Sequence, residues 1–497
     1  MPRSSNTSDS RTSLLEDLSR FAGGGVGESP TLRDKKELFR SHLPIPEHRR
    51  VLDRDVLLVL GGRGTGKSQL FRVLRNLDDP QRLTAGNSRV KPETQSDVYV
   101  PGYCAEGTEF PRREVIDHLK LDPADVPRFW LGLLWGGLLC ARNLAESTKS
   151  VGATAWGTCL KSELPTPSKW LELLKDQQED AYGLLDAVDK ALTSRDQSAV
   201  IIYDDLDILA ASVKQAYPLI RGLLDFWLRN VRRWRAIRCK IFLRTDIFDA
   251  SELAFPDSSK LRPLSVALRW NADSLYRLVL KRLLNGGRSQ EWLALLCKAI
   301  PKRMLASSQD PWGVVPATGE EEHKAFMRTM IGPYMGAEKR RGDTYQWFLN
   351  HLQDSRADIA PRSFLKLFEQ AATRQLSRGL PDSDKLLVPE EVNGALGEVS
   401  NDRITELREE YSWIEDLAKC LKGRTVPVER KELRAWLRPL GRGGFPEHIA
   451  GDSDRLVDYL VSLGILRETA DGRIHVPDIY LFGFGLKRKG GIRRPRV

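Results

Sequence analysis

Residues 61–68 combine glycines with one cation and one hydroxyl in an order suited to holding phosphate. The segment reads Gly-Gly-Arg-Gly-Thr-Gly-Lys-Ser, a complete G-x-x-x-x-G-K-[ST] phosphate loop. Glycines allow consecutive backbone N–H groups to curl around an anion, and the start of a following helix adds partial positive charge. We expect Lys67 to reach the β- and γ-phosphates of a nucleotide and Ser68 to ligate Mg²⁺. The candidate phosphate-binding residues are Gly61, Gly62, Arg63, Gly64, Thr65, Gly66, Lys67, Ser68 and Gln69.

The sequence on either side of this motif supports its assignment as a phosphate-binding loop. An apolar run, 56–60, precedes it and predicts a buried strand, and the pattern of 69–74 predicts a helix after it. Strand, glycine loop and helix in succession are the context that a phosphate loop requires.

A second motif places carboxylates at the end of another apolar run. Residues 199–203 are Ala-Val-Ile-Ile-Tyr, and Asp204, Asp205 and Asp207 follow them. A buried parallel strand presents its last side chains at the ligand-binding edge of the sheet. We expect Asp204 to hold Mg²⁺ directly or through water, and Asp205 to polarise the water that attacks the γ-phosphate. Asp207 either caps the next helix or contacts the metal.

Composition indicates a soluble, cytoplasmic protein of several domains. The chain has 497 residues, 41% of them hydrophobic, which predicts roughly three domains with real cores. The longest apolar block, 129–140, is too short to span a bilayer and predicts a buried helix around Trp130 and Trp135. The six cysteines are scattered, so neither a disulfide framework nor a zinc site is indicated.

The chain divides by composition and periodicity into six segments. Alternating strands and helices predict an α/β fold, a parallel-sheet core, with strands at 55–60, 97–100, 199–203, 239–243 and 264–268. Helical periodicity follows that core. Near the end, a helix stopped by Gly464 and two short strands joined through Asp471-Gly472 predict a winged helix. The expected segments are a disordered leader 1–30, a P-loop core 31–268, a helical lid 269–377, a linker 378–403, a winged-helix-like domain 404–485 and a basic tail 486–497.

These motifs resemble the extended AAA+ and STAND group of P-loop ATPases, including the origin-recognition initiator ATPases. The resemblance implies ATP and Mg²⁺ as cofactors, with Asp204-Asp205-Leu206-Asp207 as the Walker B ending. Residues 240–246 match the sensor 1 strand, which implies that Arg244 or Thr245 reaches the γ-phosphate. Pro361-Arg362 looks like sensor 2, and Lys260 and Arg262 stand where an arginine finger would lie. Such ATPases often serve bacterial antiphage systems, which makes that role an expectation by resemblance.

Two departures from this family pattern bear on function. The group typically carries Asp-Glu in Walker B, whereas this chain has Asp204-Asp205, and the shorter side chain predicts slow hydrolysis and suits a switch. The candidate recognition helix, 452–463, carries three aspartates against one arginine, and this excess of carboxylates would repel a phosphate backbone.

The net charge of +10 is concentrated in two segments, 228–240 and 486–497, each with six Lys/Arg and no acid. In the first, the spacing of Arg229, Arg232 and Arg233 predicts one helix face, and Trp234 an anchor. This face is either simply solvated or contacts an anionic partner. Tail residues 487–497 are a candidate nucleic-acid contact, with a merely solubilising tail as the alternative. Just before the tail, Tyr480, Phe482 and Phe484 alternate as in a strand.

Three hypotheses of function follow. The leading one is an ATP-dependent switch that hydrolyses ATP slowly and acts on a protein partner or a second copy of itself. The second is an initiator- or loader-type ATPase that acts on DNA or RNA. The third is a nucleotide-binding scaffold without turnover.

Overall fold

The computed structural model describes residues 4–21, 34–79, 82–83, 96–250, 253–440 and 451–489. The chain falls into two compact units. One unit is Pro44–Arg269, and the other combines Met1–Leu43 with Trp270–Val497.

The strands of the described residues are short, apart from β2, β3 and β4, which have seven or eight residues each. They are β1 Leu58–Gly61, β2 Ser96–Tyr103, β3 Gln197–Tyr203, β4 Ile237–Arg244, β5 Ser265–Ala267, β6 Ser308–Gln309, β7 Gly313–Val314, β8 Thr425–Val426, β9 Val428–Glu429, β10 Arg467–Glu468, β11 Arg473–His475 and β12 Lys487–Arg488.

The α-helices make up most of the remaining regular structure. They are α1 Ser4–Leu18, α2 Lys35–Ser41, α3 Pro46–Val51, α4 Lys67–Asn76, α5 Arg113–Leu119, α6 Val126–Cys140, α7 Ala155–Glu163, α8 Pro167–Lys175, α9 Gln178–Ser194, α10 Val213–Asn230, α11 Thr245–Phe248, α12 Ala272–Asn285, α13 Ser289–Leu296, α14 Lys302–Leu305, α15 Glu320–Met330, α16 Thr344–Leu352, α17 Pro361–Arg378, α18 Pro389–Glu410, α19 Ile414–Leu421, α20 Arg430–Leu437, α21 Ser453–Ser462 and α22 Asp478–Leu481.

The unit 44–269 is built on a five-stranded parallel sheet, which confirms the predicted fold class. Its strand order is β2-β3-β4-β1-β5, so all five predicted strands are present and β4 lies between the strands that end in the two motifs. In the register, Gly61 is opposite Arg244 and Tyr203 is opposite Ile241. The phosphate loop, the end of β4 and the acidic turn therefore lie side by side at one edge of the sheet.

The hydrophobic pattern explains why this sheet forms. Strands β1 and β3 are almost wholly buried runs of Leu, Val and Ile, as in a parallel sheet covered on both faces. The apolar block predicted as a buried helix is α6, and Trp130 and Trp135 on it are fully buried. The indole N–H of Trp130 donates to the carbonyl of Leu219 at 2.9 Å, which joins α6 to α10.

The predicted disordered leader is wrong for residues 4–21, while 22–30 lie outside the described residues. Helix α1 packs against α17 within its own unit, with Leu14, Leu15 and Leu18 buried. The indole N–H of Trp292 donates to Asp17 at 2.7 Å. The segment is polar in composition, but its few leucines share one helix face, and the surface that buries them comes from far along the chain.

The predicted linker 378–403 is also wrong over most of its length. Pro389 begins the 22-residue helix α18, because proline suits the first helical position. Buried residues on α18 include Val392, Leu396 and Val399. Helix α18 packs extensively against α17, so this stretch is part of the helical packing.

The C-terminal region has the predicted winged-helix-like arrangement. Helices α19, α20 and α21 are followed by the hairpin β10–β11, and β9 pairs with β11 in an antiparallel sheet. Gly464, at φ +82°, ends the helical segment as predicted. Tyr480, Phe482 and Phe484 do not form the strand that their alternation suggests, because 478–481 form a helical turn. Tyr480 and Phe484 are buried, as expected of residues that pack on this region, whereas Phe482 is exposed.

A buried carboxylate on α9 organises the entry to β4 and yields a test of the fold. Asp189 accepts backbone N–H groups from Arg235 at 3.0 Å, Ala236 at 2.7 Å and Ile237 at 2.9 Å. We predict that Asp189→Ala lowers the free energy of unfolding by about 3 kcal/mol, because it leaves these backbone N–H groups without their acceptor. Urea denaturation followed by tryptophan fluorescence measures this, with Lys190→Ala, an exposed neighbour on α9, as the control. A loss no larger than the control's would contradict the assignment.

Candidate functional site

The phosphate loop leaves β1 and enters α4 in a conformation that needs its glycines. Gly64 and Gly66 have φ of +78° and +93°, in the left-handed region that glycine adopts without strain. A side chain at Gly61 would clash with the hydroxyl of Thr65. That hydroxyl donates to the carbonyl of Gly62 at 2.8 Å and closes the turn.

Lys67 folds back over this loop. Its Nζ donates to the carbonyl oxygens of Gly61 and Gly62, both at 2.9 Å. Loss of hydration lowers the pKa of Lys67, and the negative charge of Asp204 opposes that shift. The ammonium therefore lies over the loop, where a bound phosphate would find a partly desolvated cation.

Asp204 faces the loop from the end of β3 and is 4% exposed. Its carboxylate accepts a hydrogen bond from the hydroxyl of Ser68, but burial dominates and raises the pKa of Asp204 to about 6. The hydrogen bond joins the two residues predicted to hold the metal ion.

The donor set at this point fits magnesium. A hydroxyl and a carboxylate are hard oxygen ligands, and Mg²⁺ takes few ligands from protein, completing its shell with water and phosphate. Within the described residues there is no cluster of three or more His, Cys, Asp or Glu side chains that would form an all-protein metal cage. Ser68 and Asp204 are thus suited to Mg²⁺ bound together with a nucleotide.

Asp205 turns away from the regular strand. Its φ is +58°, and its Oδ2 accepts the backbone N–H of Ala105 at 3.2 Å. Aspartate is among the non-glycine residues most tolerant of this conformation. One carboxylate oxygen is therefore held by the loop after β2, which sequence reasoning did not identify because Ala105 is 100 residues away.

Arg244, expected to contact the γ-phosphate, is held by two carboxylates. It is 6% exposed at the end of β4. Its Nε and Nη2 donate to the two oxygens of Asp246 at 3.2 and 2.7 Å, and Nη1 donates to Asp207 at 3.4 Å. Asp246 was missed from the sequence, although a carboxylate two residues after a strand-end arginine is a usable signal.

The two other predicted arginines lie in different surroundings. Arg262, on the 3₁₀ turn Ser258–Leu264, is exposed, pairs with Asp249 at 2.6 Å and lies over the ring of Phe248. Arg362 belongs to the other unit, where it lies in the first turn of α17, 3.5 Å from Glu406. Their predicted roles at the γ-phosphate stay predictions.

The basic segment 228–240 does not form the single helix face that its spacing predicts. Helix α10 ends at Asn230, so Arg232 and Arg233 lie beyond it. Arg229 pairs with Asp225 at 2.8 Å, and Arg233 pairs with Asp186. Trp234, predicted to anchor that helix, also lies beyond it: it is buried against Trp227 of α10 and donates its indole N–H to Asp186 of α9 at 3.0 Å. Part of this positive charge is therefore neutralised within the unit.

The acidic helix α21 is also paired in the structure. Asp458 accepts from Arg430 at 2.6 Å, and Asp454 contacts both Arg430 and Arg434 of α20. Asp452 caps the helix by accepting the N–H groups of Asp454 and Arg455. The carboxylates that would repel a phosphate backbone are thus bound to basic side chains that would otherwise attract one.

The start of the basic tail packs onto the winged-helix-like region. Strand β12 pairs with β8, and the guanidinium of Arg488 contacts the buried carboxylate of Asp478 at 2.8 Å. Residues 490–497, which carry the rest of the predicted nucleic-acid contact, lie outside the described residues. Across the described part of the chain, no helix is long and apolar enough to cross a membrane.

Comparison with known proteins gives structural neighbours only, since no family model and no curated protein matches the chain. The Orc1 protein of Aeropyrum pernix in complex with DNA is 15% identical, with 90% of this chain and 93% of that chain covered and a TM-score of 0.32. The Orc2 protein of the same organism, with ADPNP and ADP, is 12% identical, with 94% and 96% covered and a TM-score of 0.35. Cdc6p from Pyrobaculum aerophilum is 11% identical, with 93% and 96% covered and a TM-score of 0.27.

Orc and Cdc6 proteins are thus solved structures to which this chain is similar.

The raised pKa of Asp204 gives a test of the site. A carboxyl group with a raised pKa destabilises the folded state increasingly as the pH rises from about 4 to about 6, and the cost stays constant above that. We predict that Asp204→Asn raises the free energy of unfolding of the nucleotide-free protein at pH 8 and loses the stabilisation by ATP with Mg²⁺.

Urea denaturation at pH 4, 6 and 8, with and without Mg²⁺ and ATP, measures both effects. Asp180→Asn, an exposed site on α9, is the control. A variant that Mg²⁺ and ATP still stabilise as strongly as the wild type would rule out Asp204 as a metal ligand.

Proposed function

We propose that this chain is an AAA+/STAND-like ATPase that binds ATP with Mg²⁺, hydrolyses it slowly and acts as a nucleotide-dependent switch. The observation that carries the proposal is the joining of the two motifs. The phosphate loop with Lys67 and the buried Asp204 are linked through the hydroxyl of Ser68. This combination of cation, hydroxyl and buried carboxylate suits the phosphates of a nucleotide and their Mg²⁺.

Each residue of the site has a distinct proposed role. The backbone N–H groups of the loop and of the first turn of α4, residues 61–69, surround the phosphates, and Lys67 supplies the cation. Ser68 and Asp204 would hold Mg²⁺, which when bound neutralises phosphate charge. Asp205 accepts a proton from the attacking water, and Arg244 stabilises the charge that develops on the terminal phosphate.

Slow turnover is favoured by the setting of Asp205. Its side chain is one methylene shorter than the glutamate usual in the group, and one of its oxygens already accepts from Ala105. A base whose oxygen is partly occupied and set further back is poorly placed to take a proton. Arg262, exposed at the surface, would act on a neighbouring subunit if the protein assembles. Antiphage defence is the proposed setting and rests on the resemblance alone.

A DNA- or RNA-associated initiator or loader is the second candidate, and the winged-helix-like region is what favours it. The pairing of the acids of α21 with Arg430 and Arg434 argues against that helix as the contact, which leaves the tail. A scaffold that binds nucleotide without turnover is the remaining alternative.

Nucleotide binding should depend on Lys67. We predict that Lys67→Ala weakens the binding of a nonhydrolysable ATP analogue at least about tenfold, since it removes charge-assisted hydrogen bonds to phosphate. Isothermal titration calorimetry measures the affinity, and Lys175→Ala, an exposed lysine on α8, is the control. Unchanged affinity and unchanged turnover together would exclude the phosphate-loop function.

Hydrolysis should depend on Asp205 far more than binding does. Asparagine tolerates the positive φ and still accepts from Ala105, so Asp205→Asn preserves the backbone while removing the base. We predict unchanged affinity for the analogue and turnover lowered by about 10²-fold, the lower end of what a general base contributes, because Asp205 is poorly placed. Asp196→Asn is a matched control, because Asp196 also has a positive φ, of +52°, and is exposed.

Phosphate release by both variants and the wild type is measured with no nucleic acid and with single- and double-stranded DNA and RNA. An unaltered rate in Asp205→Asn would move the base role elsewhere. Strong stimulation of the wild type by DNA or RNA would favour the initiator alternative, and nucleotide binding without any phosphate release would favour the scaffold.

A further inference from the structure

Arg244 is held by two carboxylates of very different strength. Asp246 forms a bidentate pair with Nε and Nη2, whereas Asp207 accepts from Nη1 with one oxygen at 3.4 Å. A bidentate arginine–carboxylate pair fixes the orientation of the guanidinium. A single long contact contributes little and exchanges easily.

Arg244 and its two carboxylate partners lie beside the phosphate loop. Residue 244 is opposite Gly61 in the β1–β4 register. The charges of Arg244, Asp207 and Asp246 all contribute to the pKa of Lys67, so they are within electrostatic range of the ammonium that would bind phosphate.

Asp207 also stands on a short turn that a ligand could displace. It belongs to the 3₁₀ turn Leu206–Ile208 directly after Asp205, and its side chain is 32% exposed. Asp246, by contrast, sits in the first turn of α11, two residues from the arginine that it holds. Asp207, the weaker partner, is thus the more exposed of the two and the one nearer in sequence to Asp205, the proposed catalytic base.

We propose that Asp207 is an exchangeable carboxylate that contacts Nη1 of Arg244 in the nucleotide-free protein, and that the terminal phosphate of a nucleoside triphosphate takes its place while Asp246 keeps the guanidinium oriented. Asp207 then competes with the γ-phosphate and sets the preference for triphosphate over diphosphate. A diphosphate lacks the group that competes, so the Arg244–Asp207 contact persists when it is bound. This inference rests on the proposed nucleotide function and assigns a role to Asp207 and Asp246 within it.

Three substitutions distinguish the roles of the two carboxylates. Asp207→Asn removes the competing charge but keeps the size of the side chain and one of its oxygens. Its affinity for a nonhydrolysable ATP analogue should rise about two- to fivefold, the strength of a partly exposed ion pair, while that for ADP changes less than twofold. Asp246→Ala should lower the preference for the analogue over ADP about tenfold, because the guanidinium loses its orientation. Asp246→Glu, which keeps a carboxylate, should retain most of it.

Isothermal titration calorimetry with the analogue and with ADP, each with Mg²⁺, measures these affinities for the full chain. Asp225→Asn is the matched control, because Asp225 also pairs with an arginine, Arg229, and is also 32% exposed. Thermal unfolding checks that each variant is folded. The readout is the ratio of the two affinities, which a purely structural defect would not change.

Several outcomes would overturn the inference. Equal affinities in wild type and Asp207→Asn would show that Asp207 does not compete with phosphate. Weaker binding of both nucleotides by Asp207→Asn would identify it as a metal contact instead. A preference that survives in Asp246→Ala would remove the positioning role. A wild type that binds neither nucleotide would overturn the proposed function itself, and the inference with it.

Discussion

The structure of the phosphate site depends on one buried carboxylate, that of Asp204. Burial opposes its ionised form, and the hydroxyl of Ser68 and the ammonium of Lys67 offset only part of that cost. A buried charge is tolerated when cations and donors surround it, which ties the end of β3 to the phosphate loop. The fold thus maintains an arrangement that is unfavourable without a further cation, and that is what a metal–nucleotide site requires.

The parts of this site that the sequence predicts are local in sequence. Residues 61–69 and 204–205 carry their chemistry in consecutive positions after apolar runs, so motif and context are enough to propose them as candidates. The contacts of Asp207 with Arg244 and of Asp205 with Ala105 depend on the strand order, which places β4 between β1 and β3 and β2 beside β3. Neither contact could be derived from spacing alone, because 37 and 100 residues separate the partners.

Two of the wrong predictions about the fold have the same physical origin, a partner far along the chain. Leu14, Leu15 and Leu18 look too few for a core until α17 supplies the opposing surface. Arg233 looks like part of a basic helix face, yet it pairs with Asp186, 47 residues earlier. The composition of a segment does not show which residues it packs against. For a charged residue, an ion-pair partner elsewhere in the chain decides whether its charge is neutralised within the protein.

Charge within the site has a consequence for what can bind there. The phosphate loop and the adjoining strand ends carry three cations, Arg63, Lys67 and Arg244, and four carboxylates, those of Asp204, Asp205, Asp207 and Asp246, a formal surplus of negative charge. A triphosphate alone would add more negative charge to a partly desolvated region, where like charges repel strongly. A divalent cation reverses this balance, because it bridges phosphate and carboxylate oxygens that would otherwise repel. We therefore expect the site to bind the magnesium complex of the nucleotide more tightly than the free nucleotide. The positive net charge of the whole chain contributes little to that affinity.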